Sequence, residues 1–251
     1  MIQGLAKFQT HFQNFSDDYV IIGGLATALL MDDYGFLARA TKDIDLVVIA
    51  KENEAFLKRL LEFIKVAGYQ TKQRTDNDSR HNLFRFLNSE NKEYPEQIEL
   101  FVIHDLDSVL LQGQYIIPIE TPEYYRYLSA ILLDSEYYSL LIEQTTMVDG
   151  LHIATPETLI LLKMHAHLNL IESPHHYDNK HLKDVIKLSA LLEDDSRVAL
   201  LGRPKEDFTR FMPILEQEDP TKIKQILGSM NVTMLDKEQI IAIIKNCFTP
   251  S

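Results

Sequence analysis

Residues 44–49, IDLVVI, form a nearly continuous apolar, β-branched run of the kind found in strands buried on both faces. Such a strand needs cover above and below, so the segment constrains the fold toward an α/β arrangement. The same run opens on Asp43 and Asp45. Side chains alternate along a strand, so these two carboxylates share one face while Ile44 and Leu46 take the other. An acidic pair on one side of an otherwise buried strand calls for a chemical reason.

The flanking sequence supports the α/β reading. Residues 3–14 predict a helix, and Tyr19–Ile22 a short strand ending at Gly23-Gly24. Residues 25–31 read as a helix of small and apolar residues. Residues 52–66 have helical periodicity, with an apolar stripe of Phe56, Leu60, Phe63 and Ile64, and stop at Ala67-Gly68. Three strands are expected at 69–74, 81–88 and Gln97–Ile103, separated by turn-rich and polar stretches.

Beyond these, a strand-like QYIIPIE precedes a tyrosine-rich helical stretch near 123–142. A helix starts at Thr155-Pro156-Glu157, where threonine caps, proline fits the first turn and glutamate favours the positive end of the dipole. It runs to about residue 169. A loop with Ser173-Pro174 leads to a helix near 178–194 and shorter helices toward 246. The expected organisation is an α/β domain over residues 1–120 and a mainly helical domain over 121–251.

Composition excludes several classes. With 45% apolar and 25% charged residues among 251, the chain is an ordinary globular protein. No apolar run is long enough to span a bilayer, and the N-terminal residues lack signal-peptide features, so no membrane partner is expected. The one cysteine, Cys247, forms no internal disulfide and suits a reducing cytoplasm. A net charge of -12 argues against a generally basic nucleic-acid-coating surface, while leaving room for a local basic patch.

Two carboxylates a few ångströms apart repel unless a positive charge lies between them, and a divalent cation supplies one economically. Mg²⁺ takes carboxylate oxygens together with substrate phosphates. Gly23-Gly24 offers the complementary half: backbone can approach a ligand closely there, and the following helix presents free N–H groups to an anion. Either motif alone is weak, since a Gly pair often just ends a strand and an Asp-x-Asp can be a solvated edge. Together they outline a seat for a metal–triphosphate.

Gly23-Gly24 followed by Arg39-Ala40-Thr41-Lys42-Asp43-Ile44-Asp45 resembles the signature of the nucleotidyltransferase superfamily with the DNA polymerase β-like fold. The "GG…R-x-T-x-D-x-D" form is similar to its AbiEii-type toxin branch. "TPETLILLKMHAH" and "KHLKDVIKL" look like that branch's helical motifs, matched here by Lys163, Lys180 and Asp184. The resemblance implies a mixed sheet flanked by helices and followed by a mainly helical second half. It implies Asp43 and Asp45 as catalytic metal ligands for Mg²⁺ or Mn²⁺, and a third carboxylate on a later strand, for which Glu99 in QIELFVI is the candidate, as a ligand to a second metal and as acceptor of the proton from the attacking hydroxyl. Glutamate stands there where the family more often has aspartate. Read as a residue, Glu99 equally suits a solvent-facing edge or a pairing with Arg85.

The implied activity moves a nucleoside monophosphate from an NTP to an acceptor hydroxyl. Gly23 and Gly24 would cradle the phosphates, Thr41 would bond a phosphate oxygen, and Arg39 would contact phosphate or brace Asp43. Lys163 would neutralise the triphosphate tail. Lys180 and Asp184, four apart, fit either a site role or an ordinary i,i+4 ion pair. Lys183 and Lys187 read as a solvated basic face. The toxin branch suggests RNA such as tRNA as acceptor, with an antitoxin protein as a further partner. Aminoglycoside nucleotidyltransferases suggest a small-molecule acceptor, and a non-catalytic nucleotide- or partner-binding module is the alternative class. His165, His167, His175, His176 and His181 lack zinc-site spacing. The tyrosines read as packing, and Cys247 has no role.

Overall fold

The computed structural model describes residues 3–38, 41–49, 53–71, 85–103, 116–118, 129–171 and 179–250. These divide into two compact units that interleave along the chain. The first comprises Met1–Leu25, Ala40–Ser135 and Thr145–Ile153, and the second Ala26–Arg39, Glu136–Gln144 and Ala154–Ser251. The architecture is the mixed α/β class expected from the sequence, with a sheet in the first unit and a mainly helical second unit.

Strand β1 (Tyr19–Ile22) is wholly buried, as its four bulky residues require. It pairs antiparallel with β2 (Asp43–Val48) and parallel with β9 (Leu151–Ala154). On its other edge β2 runs parallel to β5 (Gln97–Ile103). The sheet continues from β5 to β4 (Arg85–Leu87) and β3 (Gln70–Thr71), while β7 (Ser129–Leu133) pairs β5 and carries β6 (Ile116–Pro118). At the other edge β8 (Thr145–Val148) and β9 make a hairpin. Asp149 and Gly150 both have positive φ, 50° and 74°, the requirement of a two-residue type I′ turn.

Helices α1 (Leu5–Phe12) and α3 (Glu54–Ala67) supply the aromatic core of this unit. Phe8, Phe12, Tyr19, Phe56 and Phe63 are fully buried or nearly so, with Phe12 and Phe63 ring centroids 5.3 Å apart. The ends of α3 follow local chemistry. The Asn53 side chain accepts from the Phe56 amide at 3.2 Å, and Gly68 closes the helix at φ 65°.

Helix α2 (Gly23–Asp33) begins at the glycine pair, two residues earlier than expected. In the second unit α4 (Ser135–Glu143), α5 (Pro156–Ile171), α6 (Lys180–Ser189), α7 (Gly202–Gln217), α8 (Pro220–Gly228) and α9 (Lys237–Cys247) are joined by a small parallel pair, β10 (Val198–Leu200) with β11 (Phe248–Pro250). No helix among the described residues is long and apolar enough to cross a membrane.

Two local expectations are corrected. The stretch expected to be helical near 123–142 contains β7 before α4, because Ser129–Leu133 is drawn into the sheet beside β5. Thr155 sits where a cap belongs, and its carbonyl accepts the first α5 bond from Leu159 at 3.0 Å. Its hydroxyl is nevertheless buried without a hydrogen-bond partner, so it caps through the backbone alone. Residues 72–74 and 81–84 of the expected strands, and 123–128, lie outside the described residues.

Candidate active site

The acidic pair is explained by strand alternation. In β2, Ile44 and Leu46 are fully buried, while Asp43 and Asp45 are half-buried on the opposite face. Strand β5 repeats the pattern: Ile98 and Leu100 are fully buried, and Gln97 and Glu99 are half-buried. The parallel register sets Asp43 beside Gln97 and Asp45 beside Glu99, so Asp43, Asp45, Gln97 and Glu99 form a four-cornered polar group on one sheet face. Gln97 Nε2 donates to Glu99 Oε1 at 2.6 Å.

The antiparallel register sets Ile22 beside Asp45, which brings the start of α2 to the same place. Gly23 has φ 72°, and a Cβ there would lie 1.8 Å from Asp45 Oδ2, so the carboxylate packs directly on its Cα. Only a glycine allows both the left-handed turn and this approach. Gly24 follows in the first turn of α2, where backbone N–H groups lack intrahelical acceptors.

Thr41 is half-buried just before β2. Lys42, between Thr41 and Asp43, is exposed and pairs with Glu96 at 3.0 Å. Arg39 lies outside the described residues. Among the described residues no three His, Cys, Asp or Glu side chains are grouped as a metal cage. A pair of carboxylates nonetheless fits Mg²⁺, which is held by one or two carboxylates and completes its shell with phosphate oxygens and water.

The helical-motif residues belong to the second unit. Lys163 on α5 donates to Asp184 Oδ2 on α6 at 2.9 Å, and both are buried, at 5% and 2% exposure. This interhelical pair stands beside the i,i+4 spacing of Lys180 and Asp184 on α6. Lys180 and Lys183 are exposed and Lys187 is half-buried. Burial, reinforced by Lys163 and Lys180, lowers the His181 pKa to about 4, keeping that ring neutral next to the pair. Cys247 is buried, which pushes its thiol up to about 12 and away from nucleophilic use.

One polar group has no counterpart in the sequence motifs. Asp207 on α7 is fully buried and accepts from the Tyr137 hydroxyl at 2.9 Å and from His165 Nδ1 at 2.7 Å. Asn169 donates to His165 Nε2 at 2.9 Å, which fixes the tautomer. Arg203 Nε stands 3.2 Å from Asp207 Oδ1 as an ion pair, although that oxygen receives no aligned hydrogen bond. The partners are 42 and 70 residues from Asp207, too far for spacing to reveal them. This group ties α4, α5 and α7 together. His167, as expected, diverges from His165 and meets Phe211 edge-on at 5.5 Å.

No protein-family model and no curated protein sequence matches the chain. Among solved structures it is similar to JHP933 from Helicobacter pylori, at 16% identity and TM-score 0.42 over 96% of this chain and 87% of that one. It is similar to an antigenic nucleotidyltransferase-like protein from Paracoccidioides brasiliensis, at 16% identity and TM-score 0.44 over 91% of this chain and 95% of that one. A further likeness is to the antibiotic-resistance factor ANT(2'')-Ia, at 13% identity and TM-score 0.42 over 84% and 91% of the two chains.

Proposed function

We propose that this protein is a metal-dependent nucleotidyltransferase that moves a nucleoside monophosphate from an NTP to an acceptor hydroxyl. The observation that carries the reading is the convergence of Asp43, Asp45 and Glu99 on one sheet face, with the Asp45 carboxylate packed on Gly23 at the start of α2.

Asp43 and Asp45 would hold Mg²⁺ or Mn²⁺, which when bound offsets phosphate charge and activates the α-phosphorus toward attack. The first-turn amides of α2 at Gly23 and Gly24 bind phosphate oxygens, where the helix dipole favours an anion. Thr41 adds a hydroxyl donor before β2. Glu99 accepts the proton of the acceptor hydroxyl. The acceptor oxygen then bonds to the α-phosphorus, the bond from that phosphorus to the bridging oxygen breaks, and pyrophosphate departs. The roles of Lys163, Lys180, Asp184 and Arg39 toward the triphosphate rest on the family resemblance. We take an RNA such as tRNA as the acceptor, on the likeness of residues 23–45 to the toxin branch, with an antitoxin as its partner.

Two experiments test this. The melting temperature is measured with each NTP in the presence and absence of Mg²⁺. A Mg²⁺-dependent rise with at least one NTP, lost in Asp43→Ala/Asp45→Ala, is expected, and no rise with any nucleotide refutes the reading. Incubation with α-labelled NTPs and total tRNA should then label the RNA. Label passing to an aminoglycoside instead would replace the acceptor assignment and keep the chemistry.

A further inference from the structure

Resting on that reading of the acidic face, we propose that the half-buried ring of Phe101 is the platform on which the nucleobase of the bound NTP stacks. The sheet face is banded, and strand register defines the bands. Asp45, Glu99 and Arg85 make one row across β2, β5 and β4. Val47, Phe101 and Ile131 make the next row, across β2, β5 and β7. Phe101 follows Glu99 by two residues, so both lie on one face of β5. Its neighbours Leu100 and Val102 point the other way and are buried, at 0% and 1% exposure, whereas Phe101 is half-buried. Val47 beside it is fully buried. The charged row thus adjoins an apolar one whose aromatic member keeps part of its surface in water.

The banding matches the ligand. A nucleoside triphosphate is itself divided into a charged phosphate chain, a ribose and a flat base with apolar faces. The two rows lie about 7 Å apart along β5, a distance on the scale of the ribose that separates base from α-phosphate. With the phosphates at Asp45 and the first turn of α2, the base one strand step away meets Phe101. A phenyl ring gives a phosphate neither a donor nor a positive charge. To a base it offers a π-face and apolar area at the cost of few rotatable bonds. Stacking recognises the face of a base and not its hydrogen-bonding edge, so this contact holds a nucleotide without choosing among the four. Phe101 therefore binds the part of the substrate that does not react. It makes the site one for nucleotides and not for phosphate chains in general.

The test reads binding and needs no acceptor. The chain has no tryptophan, so Phe101→Trp installs a single indole as a reporter on the platform. Mg²⁺ with each NTP should quench its fluorescence saturably. Mg²⁺ with inorganic tripolyphosphate, which has the phosphates and no base, should leave it unchanged. Calorimetric titrations of Phe101→Leu and Phe101→Tyr supply a second measurement that does not depend on the reporter, with folding checked by circular dichroism. Phe101→Leu, which keeps apolar bulk and loses the π-face, should weaken NTP binding at least ~5-fold. It should change tripolyphosphate binding less than about twofold, and Phe101→Tyr should bind NTP as wild type does, because its ring still stacks. NTP binding to Phe101→Leu within about twofold of wild type would overturn the proposal. So would quenching of the Phe101→Trp reporter by tripolyphosphate to the same extent as by NTP. Failure of the wild-type protein to bind any NTP would be a different result, taking down the reading of the acidic face and this inference with it.

Discussion

Replacing Gly23 by alanine probes the site at a single atom. Gly23 has φ 72°, and the added Cβ would lie 1.8 Å from Asp45 Oδ2 and 2.7 Å from its Cγ. A left-handed alanine costs roughly 1–2 kcal/mol. The carboxylate must also retreat from 1.8 Å to at least 3.0 Å, since closer Cβ contacts do not persist. Forcing its side chain out of its rotamer adds roughly 0.5–1.5 kcal/mol. Together these give a loss of about 1.5–3.5 kcal/mol, or a fall in Tm of roughly 3–14 °C at about 2–4 °C per kcal/mol for a domain of this size. Gly35→Ala is the matched control, because Gly35 has φ 76° and nothing within 4 Å of an added Cβ, so it meets the backbone cost alone. Calorimetry of both variants, with and without Mg²⁺ and each NTP, separates the terms. Gly23→Ala should melt below Gly35→Ala and lose the nucleotide-dependent rise in Tm, while Gly35→Ala keeps it. Equal melting of the two variants with the nucleotide response intact in both would refute the close packing of Asp45 on Gly23.

Other predictions concern the second unit. Asp184→Ala strands the buried Lys163 charge and should cost roughly 3–5 kcal/mol in urea titrations, Lys163→Ala should destabilise in the same direction, and Lys163→Met/Asp184→Leu should cost less than Asp184→Ala. A single-variant loss below about 1 kcal/mol would count against the pair. His181, held neutral mainly by burial with a folded pKa of about 4, titrates below its unfolded counterpart. The unfolded chain therefore binds more protons in between, so the contribution of His181 is complete above about pH 6.5 and falls as the pH drops toward 4, by roughly 1 kcal/mol per pH unit after allowance for its partial exposure. His167, lowered for the same reason, adds in the same direction. Stability curves of His181→Leu should be flatter over that window, and an unchanged slope would contradict this. Asp207→Ala should cost at least ~3 kcal/mol through three lost charge-assisted contacts, with Asp207→Asn milder. A change within about 0.5 kcal/mol would show that the group tying α4, α5 and α7 is dispensable.

What could be read from the sequence divides along the range of the interactions concerned. Tyr19–Ile22 and Gln97–Ile103 have the same bounds in sequence and structure, and α3 ends at the glycine expected to end it, because strand composition and helix caps act within a few residues. Ser129–Leu133 shows the opposite case. Its neighbours on both sides favour helix, and pairing with β5, some thirty residues earlier in the chain, and with β6 makes a strand of it. The hairpin of β8 and β9 is different again. Asp149-Gly150 between TTMV and LHIA carries a strong local turn signal, and the helical expectations on either side hide it.

The same division explains the site. Alternation along β2 is enough to put Asp43 and Asp45 on one face, because that depends on one strand alone. Placing Glu99 with them requires the register of β5 against β2, and a slip of one residue would have turned Glu99 into the apolar layer and brought Ile98 out in its place. Burial of Ile98 and Leu100 is what forbids that slip, so the hydrophobic core, more than any attraction among carboxylates, assembles the acidic face. Asp184 makes the limit plain. Its spacing from Lys180 satisfies the helical rule, and spacing gives no sign that its carboxylate also joins Lys163, 21 residues away on another helix. A side chain at 2% exposure takes a partner that the packing of α5 against α6 delivers, because a buried charge needs a counter-charge on the inside. Spacing rules describe surfaces well. Where the charged groups are buried, their partners are set by the packing of apolar residues around them.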